Sequence, residues 1–199
     1  AIARNGLLQT AEVVLLMACL KYILNRRDSL SVAEILLLAG RIPIEDIIED
    51  RLAFLKELQV QGMGTWAVQY PIIKQLNELR ERVLEYSSSE TLDLVLEELN
   101  LRAVIRAWGN TDRRLDNVEV IRKLSLQYEE ACNRMHSSAS LGGFLLWLND
   151  LQNDQKDMQA SGEGPDAVNV LTYHKSKGLE GPIVICHSLE TNLRADVWG

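Results

Sequence analysis

The sequence is short of the residues that would make a stapled, secreted or membrane-bound chain. Its three cysteines, Cys19, Cys132 and Cys186, are widely spaced and form no Cys-x-x-Cys pair, which leaves neither a disulfide framework nor a thiolate zinc site. All three read as small, buried apolar side chains. The longest apolar run, from Val13 to Leu20, stops at Lys21, far short of the ~20 residues that a membrane span needs. No membrane partner is expected. The first residues carry one arginine and no apolar stretch ahead of a small-residue cleavage site. No secretory signal is read there, and the cytoplasm is the expected compartment. Positive charge is also scarce: 21 basic against 28 acidic side chains leave a formal net charge of −7. That is the wrong sign for a chain mainly occupied with holding phosphate backbone, so any nucleic-acid contact must be local.

What is present is the composition of a folded globular protein. Hydrophobic residues make up 47% and charged residues 25% of the 199, enough for one good-sized domain or two small ones with a real core. No internal repeat is evident. From about residue 10 to 153 apolar positions recur at three and four, the helical period. Thr10 can cap a helix to about Leu24, apolar nearly all round and therefore buried on most sides. Ser31 with Glu34 matches a capping box for a second helix ending before Gly40, with Asp28 and Ser29 as alternative starts. Pro43 opens a third helix, whose Ile44, Ile47, Ile48, Leu52, Leu55 and Leu58 form a stripe until Gly62 and Gly64. Pro71 opens a fourth, with Ile72, Leu76, Leu79 and Val83 inward. Ser89 or Thr91 caps a fifth, whose Leu92, Val95, Leu96 and Leu99 lead to a loop at 109–114. A long sixth helix from about Asp116 places Val118, Ile121, Leu124, Tyr128, Ala131 and Met135 on one face. Ser140 starts a seventh, with Leu141, Phe144, Leu145, Leu148 and Leu151 inward.

After Asn153 the texture changes. Residues 155–166 are polar, contain Gly162, Gly164 and Pro165, and read as a linker or exposed loop. Val168–Thr172 and Ile183–Cys186 are short, β-branched and apolar, the pattern of buried strands. Between them lies the polar segment Thr172–Glu180, where α/β sheets bind their ligands, just beyond a strand's carboxyl end. Thr172 offers a hydroxyl, His174 an imidazole, Lys175 and Lys177 positive charge, and Gly178 lets a ligand approach the backbone. These groups suit a polyanion. Glu180 does not attract phosphate, but it can accept hydrogen bonds from a sugar hydroxyl or order the lysines. On composition alone a solvated charged turn is the commoner reading of such a segment.

The string itself alters that balance. Thr-x-His-x-x-Lys-Gly-Leu-Glu after a hydrophobic strand closely resembles motif V of UvrD/Rep-type superfamily 1 DNA helicases. Residues 6–38 resemble the helices after motif IV in relatives such as AddA and RecB, and 113–151 resemble the inserted helical domain that precedes motif V. The resemblance implies a mostly α chain with a small α/β part. Residues 1–40 would supply helices of the second RecA-like (P-loop NTPase-type) domain, 41–160 an inserted helical domain, and 161–199 a RecA-like strand–loop–strand carrying motif V. It further implies that Thr172 and His174 lie toward single-stranded DNA and that Lys177, Gly178 and Glu180 lie toward ATP, with Glu180 on the ribose. The implied activity is ATP-dependent DNA unwinding or translocation in repair or recombination. The implied cofactors are ATP and Mg²⁺, and the implied partners are single-stranded and forked DNA and a nuclease domain or subunit. Where the family usually has Phe or Trp after Leu-Glu, this chain has Gly181, followed by Pro182, so the resemblance implies a different packing beside Glu180.

The sequence holds no Gly-x-x-x-x-Gly-Lys-Ser/Thr, no acidic pair after an apolar strand and no downstream arginine motif, so this chain by itself is expected to bind no cofactor and to hydrolyse no ATP. It reads as part of a longer enzyme. A noncatalytic helical regulatory or protein-interaction module is the competing class.

Elsewhere, Arg102, Arg106, Arg113, Arg114, Arg122 and Lys123 outnumber Asp112, Asp116 and Glu119 around Trp108. In the family the inserted domain can touch duplex DNA ahead of the fork, so Arg113 and Arg114 become duplex-contact candidates. A solvated helix face is the simpler reading. Glu45, Asp46, Glu49 and Asp50 read as such a face, His136 as a cation at a helix end, and Trp66, Trp147 and Trp198 as packing residues. His187 beside Cys186 lacks further metal ligands nearby in sequence.

Overall fold

The structure is a computed structural model, and it describes residues 6–61, 64–154, 176–178 and 183–186. The chain divides into two compact units, Ala1–Gly162 and Glu163–Gly199. Eight α-helices form the described part of the first: α1 (Ala11–Leu24), α2 (Ser29–Leu38), α3 (Ile44–Gln61), α4 (Pro71–Arg82), α5 (Ser88–Glu98), α6 (Leu101–Arg106), α7 (Thr111–Arg134) and α8 (Leu141–Asn153).

Helix α1 is the axis of this unit. Ten of its fourteen residues are buried, from Glu12 to Ile23, and it packs against α2, α4, α5, α7 and α8. An all-round apolar helix can satisfy its surface only in that way. Its one buried charge is Glu12, whose two carboxylate oxygens accept from Arg114 (2.6 Å) and from the buried Asn117 amide (2.7 Å), both on α7. Among the described residues no buried side-chain nitrogen or oxygen lacks a hydrogen-bond partner.

The helix ends follow local chemistry, with some differences from the expected caps. Thr10 precedes α1, but its hydroxyl donates back to Leu7 O. Of the three candidate starts for α2, Asp28 is the cap: its carboxylate accepts from the Ser31 amide and hydroxyl. Pro71 is the first residue of α4, where its missing N–H costs no helical bond; Leu76 and Leu79 are buried as expected, Ile72 and Val83 pack partly buried against the same core, and Ile73 is buried with them. α5 is capped by Ser87, with Glu90 completing a capping box. Its N-terminus also receives Glu129 of α7, which accepts from the Ser88 hydroxyl and from the Ser89 amide and hydroxyl.

Asn100 (φ 47°) breaks the chain after α5 and lets a short helix, α6, form where a simple run into a loop was expected. α7 begins at Thr111, five positions before Asp116, because Asn110 also adopts the left-handed conformation (φ 49°) and starts the turn there. His136 ends α7 through its backbone: with φ 51° its N–H reaches Asn133 O, while the Ser137 N–H reaches Cys132 O. These are the two closing bonds of a Schellman motif. Met135, expected inward, is 69% exposed at this terminus. Ser140 caps α8 by accepting from the Gly143 amide, and Phe144 and Leu148 are buried. Phe144, Tyr128 and the half-buried Trp147 form one aromatic cluster between α7 and α8.

The largest departure is in α3. Of the expected inward stripe only Ile47 is fully buried; Ile44, Ile48, Leu52 and Leu55 are 43, 52, 53 and 37% exposed. Periodicity shows that this face is apolar, but the rest of the unit covers only one margin of it. Conversely, Asp50 is not simply part of a solvated face, since it accepts from the indole N–H of the buried Trp66 and from Gln69. Cys19 and Cys132 are buried as expected, and burial pushes the Cys19 thiol up to about 12. Cys186 is exposed instead.

In the second unit, Ile183–Cys186 is exposed and carries no strand among the described residues, contrary to the expected buried strand. A strand is buried only by neighbouring strands and helices. The expected strand at 168–172 lies outside the described residues.

The Glu12 network yields a sharp stability prediction. Removing Arg114 leaves a buried carboxylate without its counter-charge, so Arg114→Ala should destabilise the unit by roughly 3 kcal/mol. In a double-mutant cycle with Glu12→Leu, followed by urea unfolding, the two effects should be strongly non-additive. Additive, small effects would remove the pairing as a determinant of stability.

Candidate functional site

Two regions carry the sequence-derived site residues. In the motif segment the structure describes Ser176, Lys177 and Gly178. Lys177 and Gly178 are exposed, and they form a turn. Gly178 has φ +85°, and among the described residues, its own chain neighbours aside, no atom lies within 4 Å of where a Cβ would be. The left-handed backbone calls for glycine, and the open space permits close approach of a ligand. Thr172, His174, Glu180 and Gly181 lie outside the described residues, as does His187. A cationic side chain next to an open glycine turn can meet a phosphate group.

The second region is the basic stretch on α6 and α7. Here the structure separates six cations that the sequence groups together. Arg122 donates to both carboxylate oxygens of Asp93 on α5 and also to Glu119; Arg102 of α6 donates to the other Glu119 oxygen at 2.8 Å. Helices α5, α6 and α7 are thereby joined by one ion-pair chain. Hydrogen bonds from Asp93 and Glu119 hold the Arg122 guanidinium charged well beyond its ordinary range. For Glu119, desolvation acts to raise the carboxyl, but hydrogen bonds from Arg102 and Arg122 outweigh it and the net shift is downward.

Arg114 is committed as well. One nitrogen donates to Glu12 and another to Gly109 O, and its guanidinium lies 5.6 Å over the Trp108 ring. The side chains of Arg106, Arg113 and Lys123 are exposed. Arg113 and Arg114 are adjacent in sequence, yet Arg114 turns to the core and Arg113 to the surface. The sequence signal for this difference is Glu12. A lone acid in an otherwise apolar helix requires a buried partner, and the arginines of α6 and α7 are the obvious donors.

A shallow cleft of about 300 Å³ lies between α3 and the turn at 66–69, lined by Asp50, Ala53, Phe54, Glu57, Trp66 and Gln69. Its aromatic side is already taken by Arg51, whose guanidinium is 5.4 Å from the Phe54 ring and 4.9 Å from that of Trp66. Among the described residues no cluster of His, Cys, Asp and Glu could hold a metal ion. None of the described helices is long and apolar enough to cross a membrane.

Comparison with known proteins finds one recurrent kind of relative, the A subunit of an ATP-dependent helicase/nuclease. The chain is 25% identical over 196 residues to that protein from Ruminiclostridium cellulolyticum, covering 90% of this chain and 15% of the relative. It is 27% identical over 200 residues to the protein of the same name from Oceanobacillus iheyensis, covering 91% and 15%. A shorter stretch of 115 residues is 31% identical to the Lactobacillus helveticus protein, covering 56% and 9%. The chain therefore spans about 15% of the length of the first two of these curated relatives. No family model and no solved structure matches it.

Two measurements follow from the charge arrangement. If exposed cations of α6 and α7 contact duplex phosphate, Arg113→Glu should lower the slope of log affinity against log salt by about 1 for each phosphate no longer neutralised. The same change at Arg114 should unfold the unit, because it sets a second carboxylate against the buried Glu12. The second concerns acid. Glu119 titrates below the ordinary glutamate value of 4.5, and so does Glu129, where desolvation is outweighed by the bonds from Ser87, Ser88 and Ser89. Their stabilisation is complete above pH 4.5 and is lost as pH falls through the depressed values. Glu119→Gln with Glu129→Gln should flatten the acid limb of a stability profile below pH 4.5, and an unchanged limb would refute the assignment.

Proposed function

We propose that this chain is part of an ATP-dependent DNA helicase or translocase of the UvrD/Rep type, working in DNA repair or recombination. The observation that carries the reading is similarity along nine-tenths of the chain to helicase/nuclease A subunits. The motif-V-like string Thr172–Glu180 supports it independently. Thr172 and His174 contact single-stranded DNA in the groove between two motor domains, and Lys177, Gly178 and Glu180 contribute to the ATP site, with Glu180 on the ribose. Because one short loop carries both sets, a displacement on its nucleotide side changes the grip on DNA. ATP and Mg²⁺ belong to the longer protein; this chain has no phosphate-binding loop of its own and is inactive alone.

In this reading residues 1–40 come from the second RecA-like domain, 41–160 form the inserted domain and 161–199 return to the motor. Helices α1 and α2 nevertheless share one core with α4, α5, α7 and α8, so the junction at residue 40 is a packed one. The exposed face of α6 and α7 approaches duplex at a fork through Arg113, with Arg114 anchoring that end of α7. Single-stranded and forked DNA are the nucleic-acid partners, and a nuclease domain or subunit is the protein partner, a role drawn from the relatives' names. The alternative, a noncatalytic interaction module, has one specific observation in its favour: the uncovered apolar row of α3.

The test is made in the longer protein that contains this segment. Glu180→Ala should raise the KM for ATP and slow unwinding, and Thr172→Ala should weaken single-strand stimulation of the ATPase. If neither kinetic constant moves, the motif assignment fails. ATP hydrolysis by the isolated 199-residue chain would overturn the division of labour.

A further inference from the structure

Five arginines among the described residues are half-buried: Arg51, Arg80, Arg102, Arg114 and Arg122. Four of them are occupied. Arg102, Arg114 and Arg122 donate to carboxylates, and Arg51 stacks on the rings of Phe54 and Trp66. Arg80 is the exception, because among the described residues its guanidinium meets no carboxylate, carbonyl or ring. Withdrawing a cation even partly from water without an acceptor carries a cost, which an incoming anion removes.

The groups around Arg80 suit such an anion. α4 packs on α1 where the buried Tyr22 hydroxyl donates to Asn77 Oδ1 at 3.1 Å. That bond fixes the Asn77 amide, whose nitrogen is then a free donor among the described residues. Arg80 follows Asn77 by three residues, one turn along α4, and the exposed Arg26 follows Tyr22 by four, just past the end of α1. Burial pushes the Tyr22 phenol up, while the Asn77 bond and the positive charges of Arg26 and Arg80 act the other way. Both charges acting on this hydroxyl are positive, so the two guanidiniums stand near one point. The acids nearby in sequence do not cancel them. Asp28 is taken up by Ser31 and Glu98 by Arg82, and Lys21 acts on Glu34 of α2. On the helical repeat of α4, Arg80 lies on the side of Asn77 toward the buried Leu76, whereas Glu81, Lys74 and Glu78 follow in that order on the other side. Glu85 comes five residues after Arg80, beyond the end of α4. Among the described residues none of these glutamates pairs with Arg26 or Arg80.

We infer that Arg26, Arg80 and the Asn77 amide form an anion site that takes a phosphate dianion, either free or as a terminal monoester. Two guanidiniums from different elements match a doubly charged group with three open oxygens, whereas a carboxylate is met by a single fork. The site uses none of residues 172–180, so it stands or falls separately from the helicase reading.

The test titrates the whole 199-residue chain with sodium phosphate, at a pH where phosphate is a dianion and at ionic strength held constant with chloride. Arginine Nε–Hε NMR signals of Arg26 and Arg80 should move together and saturate with a dissociation constant on the order of 1 mM, the strength of two charge-assisted hydrogen bonds. Arg80→Gln should abolish the saturable shift of Arg26, and Arg26→Gln should weaken binding about tenfold. Neither side chain has a partner in the fold, so melting in chloride should hold for both. Should Arg80→Gln disturb melting, Arg26→Gln, on an exposed side chain, carries the test. A 5′-phosphorylated oligothymidylate that displaces inorganic phosphate identifies a terminal monoester as a ligand, and one that does not confines the site to free phosphate. Three results would overturn the inference: shifts that chloride reproduces, phosphate affinity indifferent to Arg26→Gln, or equal competition by the oligothymidylate without its terminal phosphate.

Discussion

The pairing of Glu12 with Arg114 and Asn117 is the constraint on which the rest of the helical unit depends. A carboxylate 2% exposed is costly to bury without a counter-charge and further hydrogen bonds. Both come from α7, more than a hundred residues later in the chain. The α1 carboxylate therefore accepts one register of α7 and penalises its neighbours, whereas the aliphatic contacts around it discriminate weakly. Because α1 also touches α2, α4, α5 and α8, fixing α1 against α7 orients the helices packed on either. Specificity resides in one polar contact, while the driving force resides in the apolar surface around it.

That economy has a consequence for nucleic-acid binding. Positive charge that looks like a patch in the sequence is largely consumed inside the fold: Arg114 by Glu12, Arg122 by Asp93 and Glu119, Arg102 by Glu119. An exposed ion pair contributes little to stability, but it removes the excess charge that phosphate would feel. The side chains of Arg106, Arg113 and Lys123 are exposed. A duplex contact on this face is then a matter of a few phosphates, and the unit's architecture does not rely on it.

Much of the helical unit is legible in the sequence, for reasons that differ from helix to helix. Pro71 and Ser140 mark starts because their chemistry fits the first turn and little else. The all-round apolar character of Val13–Leu20 places α1 at the centre. Left-handed residues are harder: Asn100, Asn110 and His136 set three helix boundaries by φ rather than by side-chain pattern, and asparagine or histidine adopts φ > 0 only sometimes. Side-chain periodicity therefore reveals neither α6 nor the true start of α7. Position 40 illustrates the converse. Glycine there is readable as a helix stop, and its backbone is so close to Leu36 O that a Cβ would sit 2.6 Å away. The motif is legible for another reason. Thr172–Glu180 is recognisable as a string, and its physical chemistry alone, a polar turn between two apolar segments, would suit many ligands.

The departure at α3 is the most instructive, because the same physics underlies both the expectation and its failure. Periodicity reports that one face of a helix avoids water; it does not report what covers that face. The unit's own interior is complete, with its described buried polar groups all partnered and α1 enclosed. An open row on such a unit is therefore not a sign of a core left unfinished. The stripe of Ile44, Ile48, Leu52 and Leu55 records a preference of the helix, whereas burial is decided by the elements that pack on it, and within this unit those elements reach Ile47 and stop short of the other four.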